Sequence, residues 1–129
     1  MFFNAVIFFF LFAVIGSGIA APASVNNGDA TFYETGLGAC GKVNHNTDHI
    51  AAVSRQFFDS VDGGSANPNL NHVCGKTATI HAGDKSTTVT IVDRCAGCLG
   101  PTDLDLSPAA FKDLAPLSVG RMKMTWTLN

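Results

Sequence analysis

The sequence predicts an all-β protein with a small helical content, folded as a closed barrel of short strands. Three observations predict it: segments that alternate apolar and polar residues, turn-forming residues between them, and only two short stretches with helix-starting signals. Five or six such strands bury their apolar faces best when the sheet closes on itself. A chain of 129 residues has room for one domain of this kind.

The first half of the domain contains one clear strand and much turn-forming sequence. Asp29–Tyr33 is short and rich in β-forming residues, and the glycine-rich segment 34–49 is predicted to be a loop. Ile50–Val53 is a short apolar run, and Ser54 is placed to cap a single helical turn after it. Segment 60–72 has turn chemistry throughout.

The strongest pattern is a hairpin formed by Lys76–His81 and Ser86–Val92 around a turn at 82–84. In the second of these strands, alternation places Val89 and Ile91 on one face. It places three residues on the other face: Thr88, Thr90 and Val92.

The last part of the chain is predicted to be a loop, a helix and a strand. Cys95–Thr102 is a constrained loop, and Leu106–Leu114 is a short helix with Ser107 as N-cap and Pro108 at its first position. The last strand, Arg121–Thr127, turns three residues toward the core: Met122, Met124 and Trp126.

The excess of apolar residues lies at the N-terminus. Residues 1–20 hold 16 apolar residues and no charge, and they end in small residues of the kind that signal peptidase needs. An uncleaved anchor is the alternative, but no stop-transfer charges follow. We therefore predict a signal peptide over 1–20, a spacer over 21–27, the barrel domain over 28–129, and a secreted protein.

All four cysteines lie after this segment. An even count in an oxidising compartment predicts two disulfides, and three connectivities are possible. We expect Cys40 to pair with Cys74 across a long loop and Cys95 to pair with Cys98 across a turn. Cys-Ala-Gly-Cys is also the spacing of a redox or zinc half-site, but a thioredoxin motif belongs beside a βαβ pattern, which this sequence does not show.

The formal net charge is −2, and the charged residues are scattered without runs. This is not the footprint of a nucleic-acid-binding protein or of a membrane-bound one after signal cleavage. A neutral partner fits better, either a polysaccharide or a protein. With the cysteines paired, no spacing of ligands predicts a metal or cofactor, and we expect a monomer.

Two carboxylates are candidates for chemistry. Asp93 ends an apolar strand, and Asp105 precedes the capped helix. Two acidic groups flanking a polysaccharide are what glycosidic cleavage needs, one as general acid and one as base or nucleophile. Structural roles are the alternative: Asp105 favourably placed before a helix N-terminus, and Asp93 paired with an arginine.

Five motifs make the chain resemble double-psi β-barrel proteins. This is the six-stranded fold of the first expansin domain, rare-lipoprotein-A-like domains, barwin and family-45 endoglucanases. The pattern is most similar to the loosenins, fungal single-domain relatives of the expansins. The motifs are Gly28–Tyr33, Gly38–Gly41, Val89–Cys95, Leu104–Phe111 and Val119–Gly120.

The resemblance implies a glycan-binding groove. Thr31 matches the groove threonine of expansins, Asp93 the aspartate that ends the central strand, and Asp105 the aspartate that the family needs for wall loosening. Tyr33 shares a strand face with Thr31 and is expected to stack on a sugar. Cys95 replaces an aromatic residue of some expansins, and the cellulose-binding second domain is missing from this sequence.

Three functions follow as hypotheses. The first is a secreted protein that loosens cellulose or chitin without hydrolysis, with Asp93 and Asp105 in the catalytic position. The second is a weak endoglucanase or lytic transglycosylase. Some transglycosylase relatives use a histidine, for which His72 and His81 are candidates, although surface roles are expected for all the histidines. The third is a protein binder, such as an inhibitor of a cysteine protease.

Overall fold

A computed structural model describes Gly16, Gly18 and residues 23–61 and 66–129. Apart from these two glycines, the predicted signal peptide lies outside the described residues, as does the start of the predicted spacer. Among the residues described, no helix is long and apolar enough to cross a membrane.

Six strands close into a barrel in the order β1-β5-β2-β4-β3-β6, which confirms the predicted all-β architecture. The pairs β1–β5 and β2–β4 are parallel and the other four are antiparallel. The strands are β1 Asn26–Phe32, β2 Ile50–Ser54, β3 Thr77–Ala82, β4 Lys85–Cys95, β5 Leu104–Leu106 and β6 Met122–Leu128.

Two helices of two turns each pack on this barrel, α1 Arg55–Val61 and α2 Pro108–Leu114. Both predicted caps are confirmed: the Ser54 hydroxyl accepts from Phe57 N at 3.1 Å, and that of Ser107 accepts from Ala110 N at 3.3 Å. Two single 3-10 turns, Pro68–Leu70 and Leu117–Val119, complete the described helical content.

Several predicted boundaries are wrong. Strand β1 begins three residues earlier than expected, and α1 extends to Val61, inside the segment predicted to be turns. The Leu104–Leu106 segment forms a strand where none was expected, so Leu106 belongs to that strand; the helix after it begins at Pro108, the predicted first helical position. Three residues are too few for alternation to be recognised, so only pairing with β1 and β2 makes this segment a strand.

The core fills the barrel and the space under α2. Trp126 is 1% exposed, and its ring meets Phe57 edge-on at 5.1 Å between centroids. The predicted inward face of β6 is confirmed, with Met124 buried and Met122 partly buried against the core. Other fully buried side chains are Phe111, Ile80, Ile91, Leu104, Leu106, Val53, Val73 and Val89.

Both expected disulfides are present, Cys40–Cys74 and Cys95–Cys98, and no described cysteine is free. The first joins the loop after β1 to the segment before β3. The second joins the end of β4 to the loop that leads into β5. Each bridge therefore restrains a connection at the edge of the barrel.

Candidate functional site

Four neighbouring strands bring three predicted site residues into one row. Thr31 of β1 is in register with Asp105 of β5, and Asp105 is in register with Ala52 of β2. On its other side, Ala52 is in register with Asp93 of β4. Thr31 and the two carboxylates, which are ten residues or more apart in sequence, therefore lie side by side across the barrel, with only a methyl group between the acids.

A β-bulge in β4 turns Asp93 out of the core. Pairing with β2 passes from Ala51↔Ile91 to Ala52↔Asp93, so Val92 is the extra residue. Regular alternation would place Asp93 on the buried face of Val89 and Ile91, because side chains two apart share a face. The bulge reverses that face and leaves Asp93 lining an open groove.

The loop after β1 stabilises the bulge. The carbonyl of Val92 accepts a hydrogen bond from Cys40 N at 3.1 Å, and Asp93 Oδ1 accepts from Ala39 N and Arg94 N, each at 2.8 Å. A Cβ on Gly38 would lie 2.4 Å from Val92 O, so this position has room only for glycine. One Asp93 oxygen is thus engaged by the main chain.

Asp105, like Asp93, is half-buried. Its Oδ1 accepts a hydrogen bond from Thr31 Oγ1 at 2.9 Å. Burial raises the pKa of Asp105 above its ordinary value, and the negative charge of Asp93 adds to the rise; the Thr31 hydrogen bond and the charge of Arg121 oppose it. A carboxyl in this position is suited to hold a proton in the pH range in which exposed aspartates have lost theirs.

Tyr33 continues the Thr31 face of β1, and its main-chain N–H donates to Leu106 O at 2.9 Å. Burial raises the pKa of its hydroxyl, and the negative charges of Asp93 and Asp105 and hydrogen bonding with Asp93 raise it further. The hydroxyl therefore stays protonated and is a hydrogen-bond donor beside both acids.

The groove around these residues has a volume of about 480 Å³ and is open to solvent. The predicted residues Thr31, Tyr33, Asp93 and Asp105 all line it. Sequence reasoning did not place Arg94, Asp103 or Arg121 in it. Asp103 accepts from Asp29 N at 2.9 Å and from Gly100 N at 3.0 Å, which holds the loop before β5 against β1.

Arg121 supplies a positive charge at the groove, and its Nη1 donates to Asp29 Oδ2 at 3.2 Å. It lies immediately before β6, which pairs with β1. Nothing in the sequence around Arg121 signals a site, because its place in the groove depends on that pairing.

The four histidines are exposed, and none lines the groove: His45, His49, His72 and His81. His49 instead pairs with Asp113 of α2 at 2.8 Å. Within 23–61 and 66–129, no group of three or more histidine, cysteine or acidic side chains is arranged to hold a metal ion.

Comparison with known proteins places this barrel in a family. The family model described as lytic transglycolase matches residues 25–126, almost the whole described barrel. The chain belongs to the lytic transglycolase family. Its closed six-stranded barrel is the double-psi β-barrel expected from the motifs.

The relatives of this lytic transglycolase domain have varied names. Allergen Asp f 7 of Aspergillus fumigatus is 34% identical over 123 residues, covering 88% of this chain but only 41% of its own length. A papain inhibitor of Streptomyces mobaraensis is 30% identical over 118 residues, covering 83% of this chain and 78% of its own length.

Solved structures show the same fold. The Streptomyces papain inhibitor superposes with a TM-score of 0.73 at 29% identity, covering 84% of this chain and 98% of that one. An expansin of Clavibacter michiganensis, solved as a mutant in complex with cellohexaose, superposes with a TM-score of 0.65 at 21% identity. That match covers 82% of this chain and 50% of the expansin.

Proposed function

We propose that this chain is a secreted, expansin-like protein that binds cell-wall polysaccharide, cellulose or chitin, and loosens it without hydrolysis. The observation that carries the proposal is the row of Thr31, Asp105 and Asp93 along the floor of an open groove. In this row, the methyl group of Ala52 lies between the two carboxyl groups. A sugar chain presents hydroxyl groups around an apolar ring, so polar and apolar groups in this order match its face.

The same geometry favours binding over bond cleavage. Hydrolysis needs one carboxyl as acid and a second that is available as base or nucleophile. Asp105 is suited to carry a proton, but Asp93 Oδ1 already accepts two main-chain hydrogen bonds. We infer that Asp93 orients the groove wall and Tyr33, and that Asp105 exchanges hydrogen bonds with the glycan.

The test is mechanical weakening of filter paper or chitin film by the mature protein, together with an assay of the reducing ends released. We expect weakening without soluble sugars, and Asp105→Asn should lose most of it. Asp84→Asn, which removes the same charge from the exposed β3–β4 turn, is the matched control. If Asp105→Asn weakens paper as well as wild type, the role assigned to Asp105 is wrong.

Product analysis separates loosening from enzymatic cleavage. The family description makes cleavage the natural comparison, so the mature protein should also be incubated with glucan, chitin and peptidoglycan. Oligosaccharides detected by mass spectrometry in any of these would replace the proposal by a hydrolase or a transglycosylase.

A second candidate is a protein binder that inhibits a cysteine protease. The specific observation is the papain inhibitor, which matches this chain over most of the length of both and shares its fold. Inhibition of papain and of several other cysteine proteases tests it directly. A null result with every protease would set this candidate aside, and inhibition unaffected by Asp105→Asn would place the contact outside the groove.

A further inference from the structure

The Cys95–Cys98 disulfide lies in the wall of the groove. Both cysteines line the cavity, and Cys95 Sγ is 4.0 Å from Asp105 Oδ2. Because a disulfide sulfur carries no proton, this is a contact and not a hydrogen bond. Neither glycan binding nor protease inhibition, as argued above, needs a disulfide at this place.

The two disulfides of the protein differ in what happens after they open. Cys40 and Cys74 are separated by 34 positions, so their reduction releases two distant parts of the chain. Cys95 and Cys98 are separated by only 3, and their thiols stay close whether or not they are bonded. A pair held at such high effective concentration re-forms readily.

Access favours attack on Cys95. Cys98 is only 8% exposed, whereas Cys95 is half-buried and faces the groove. The residues between them, Ala96 and Gly97, are exposed and have no side chain beyond Cβ. The charge of the cavity does not assist an anionic thiolate, because Arg94 is paired with Asp59 and Arg121 with Asp29. Three acidic side chains line the same cavity: Asp93, Asp103 and Asp105.

We propose that the Cys95–Cys98 disulfide is a thiol–disulfide exchange site that accepts a low-molecular-weight thiol from the groove. The incoming thiolate bonds to Cys95 Sγ as the Cys95–Cys98 bond breaks. The electron pair leaves on Cys98 Sγ, which takes a proton from water. In the return step, Cys98 gives this proton back to water, its thiolate attacks Cys95 Sγ, and the small molecule leaves as a thiolate, so the site is reversible and needs no other reactant.

Reduced glutathione is a suitable probe for the wild-type protein. Samples taken over time are quenched with iodoacetamide, digested and mapped by mass spectrometry. We expect a glutathionyl group on Cys95 and alkylation of Cys98 while Cys40–Cys74 is still closed, with rates that differ by about tenfold or more. Opening of both disulfides at one rate, or a glutathionyl group on Cys98, would overturn the proposal.

Two single variants test the direction of attack. Cys98→Ser removes the group needed for the return step, so the Cys95 mixed disulfide should accumulate with oxidised glutathione. Cys95→Ser leaves only the buried sulfur, which should react much more slowly. Equal labelling of the two variants would contradict attack on Cys95.

The variant Asp105→Asn tests whether the thiol attacks the disulfide from the groove or from another exposed side. At a pH above the raised pKa of Asp105, the substitution removes the negative charge 4.0 Å from the attacked sulfur, so opening by glutathione should be faster than in wild type. Asp84→Asn should leave the rate unchanged, because Asp84 is remote in the β3–β4 turn. An unchanged rate in Asp105→Asn would place the attack away from the groove and overturn the proposal.

Discussion

Asp105 combines burial with a small number of specific contacts, and that combination sets its chemistry. The Thr31 hydroxyl, Arg121 and Asp93 act on one carboxyl from three different strands or strand ends. Burial is the largest influence on its pKa, so this carboxyl makes the folded state less stable once it is ionised. Groups of this kind are retained where a site needs them at the expense of stability.

The first prediction concerns the pH dependence of the free energy of unfolding. Since the pKa of Asp105 is higher in the folded than in the unfolded chain, the folded state binds more protons between the two values. The free energy of unfolding therefore falls as pH rises from the ordinary value of 3.8 through the raised one. Asp105→Asn should be more stable than wild type at neutral pH and equally stable below 3.8. Urea unfolding followed by Trp126 fluorescence measures both, and a difference independent of pH would contradict this cause.

The second prediction concerns the Thr31 hydroxyl, which opposes the rise in the pKa of Asp105. Thr31→Val keeps the shape of the side chain but removes the donor to Asp105 Oδ1, so the pKa of Asp105 should rise further. An NMR titration of the Asp105 carboxyl carbon measures the change. Thr88→Val, on the exposed face of β4, is the control and should leave the titration as in wild type.

At the scale of the element, the bulge in β4 decides the orientation of the site. A single extra residue changes the face of everything after it, because the side-chain period of a strand is two. The loop that carries Gly38, Ala39 and Cys40 passes directly over the bulge and donates two main-chain hydrogen bonds to it. The bulge and the loop are thus one structural unit.

The third prediction follows from that unit. A methyl group at Gly38 would collide with Val92 O and approach the Asp93 side chain to 3.3 Å, so Gly38→Ala should displace the loop. We expect a loss of roughly 1–3 kcal/mol in the free energy of unfolding, as for other overpacked sites. Gly36→Ala is the matched control, because a Cβ there meets nothing within 4 Å. Equal losses in the two variants would mean that the close approach to Val92 is not the cause.

At the scale of the whole molecule, the closed barrel and two disulfides act together. Closure pairs β1 with β6 and so brings the two ends of the described domain side by side. The long bridge, Cys40–Cys74, excludes many unfolded conformations, whereas Cys95–Cys98 excludes few. The two bridges are therefore expected to differ in what they contribute to stability.

The fourth prediction compares the bridges. In the chain-entropy model, Cys40→Ser/Cys74→Ser should cost about 4 kcal/mol, since the sequence separation is 34. Cys95→Ser/Cys98→Ser should cost about 2 kcal/mol, since the separation is 3. Denaturant midpoints from Trp126 fluorescence give both values. A larger loss for the short bridge would mean that native-state contacts, and not loop closure, determine its contribution.

The amino-acid sequence by itself determined the local features of this protein. The β3–β4 hairpin, the caps Ser54 and Ser107, the inward face of β6 and the short Cys95–Cys98 bridge all follow from patterns a few residues long. The motifs also identified four residues that line the groove: Thr31, Tyr33, Asp93 and Asp105. Local chemistry is enough for such features because the interacting groups are close in sequence or are carried by one strand.

Only the tertiary structure decided how these parts meet. The three-residue strand β5 exists because it pairs with β1 and β2, Arg121 enters the groove because β6 pairs with β1, and Asp93 faces outward because of the bulge. Each of these depends on the register between strands that are distant in sequence. No single-strand pattern encodes that register, since it is the packing of the whole barrel that selects it.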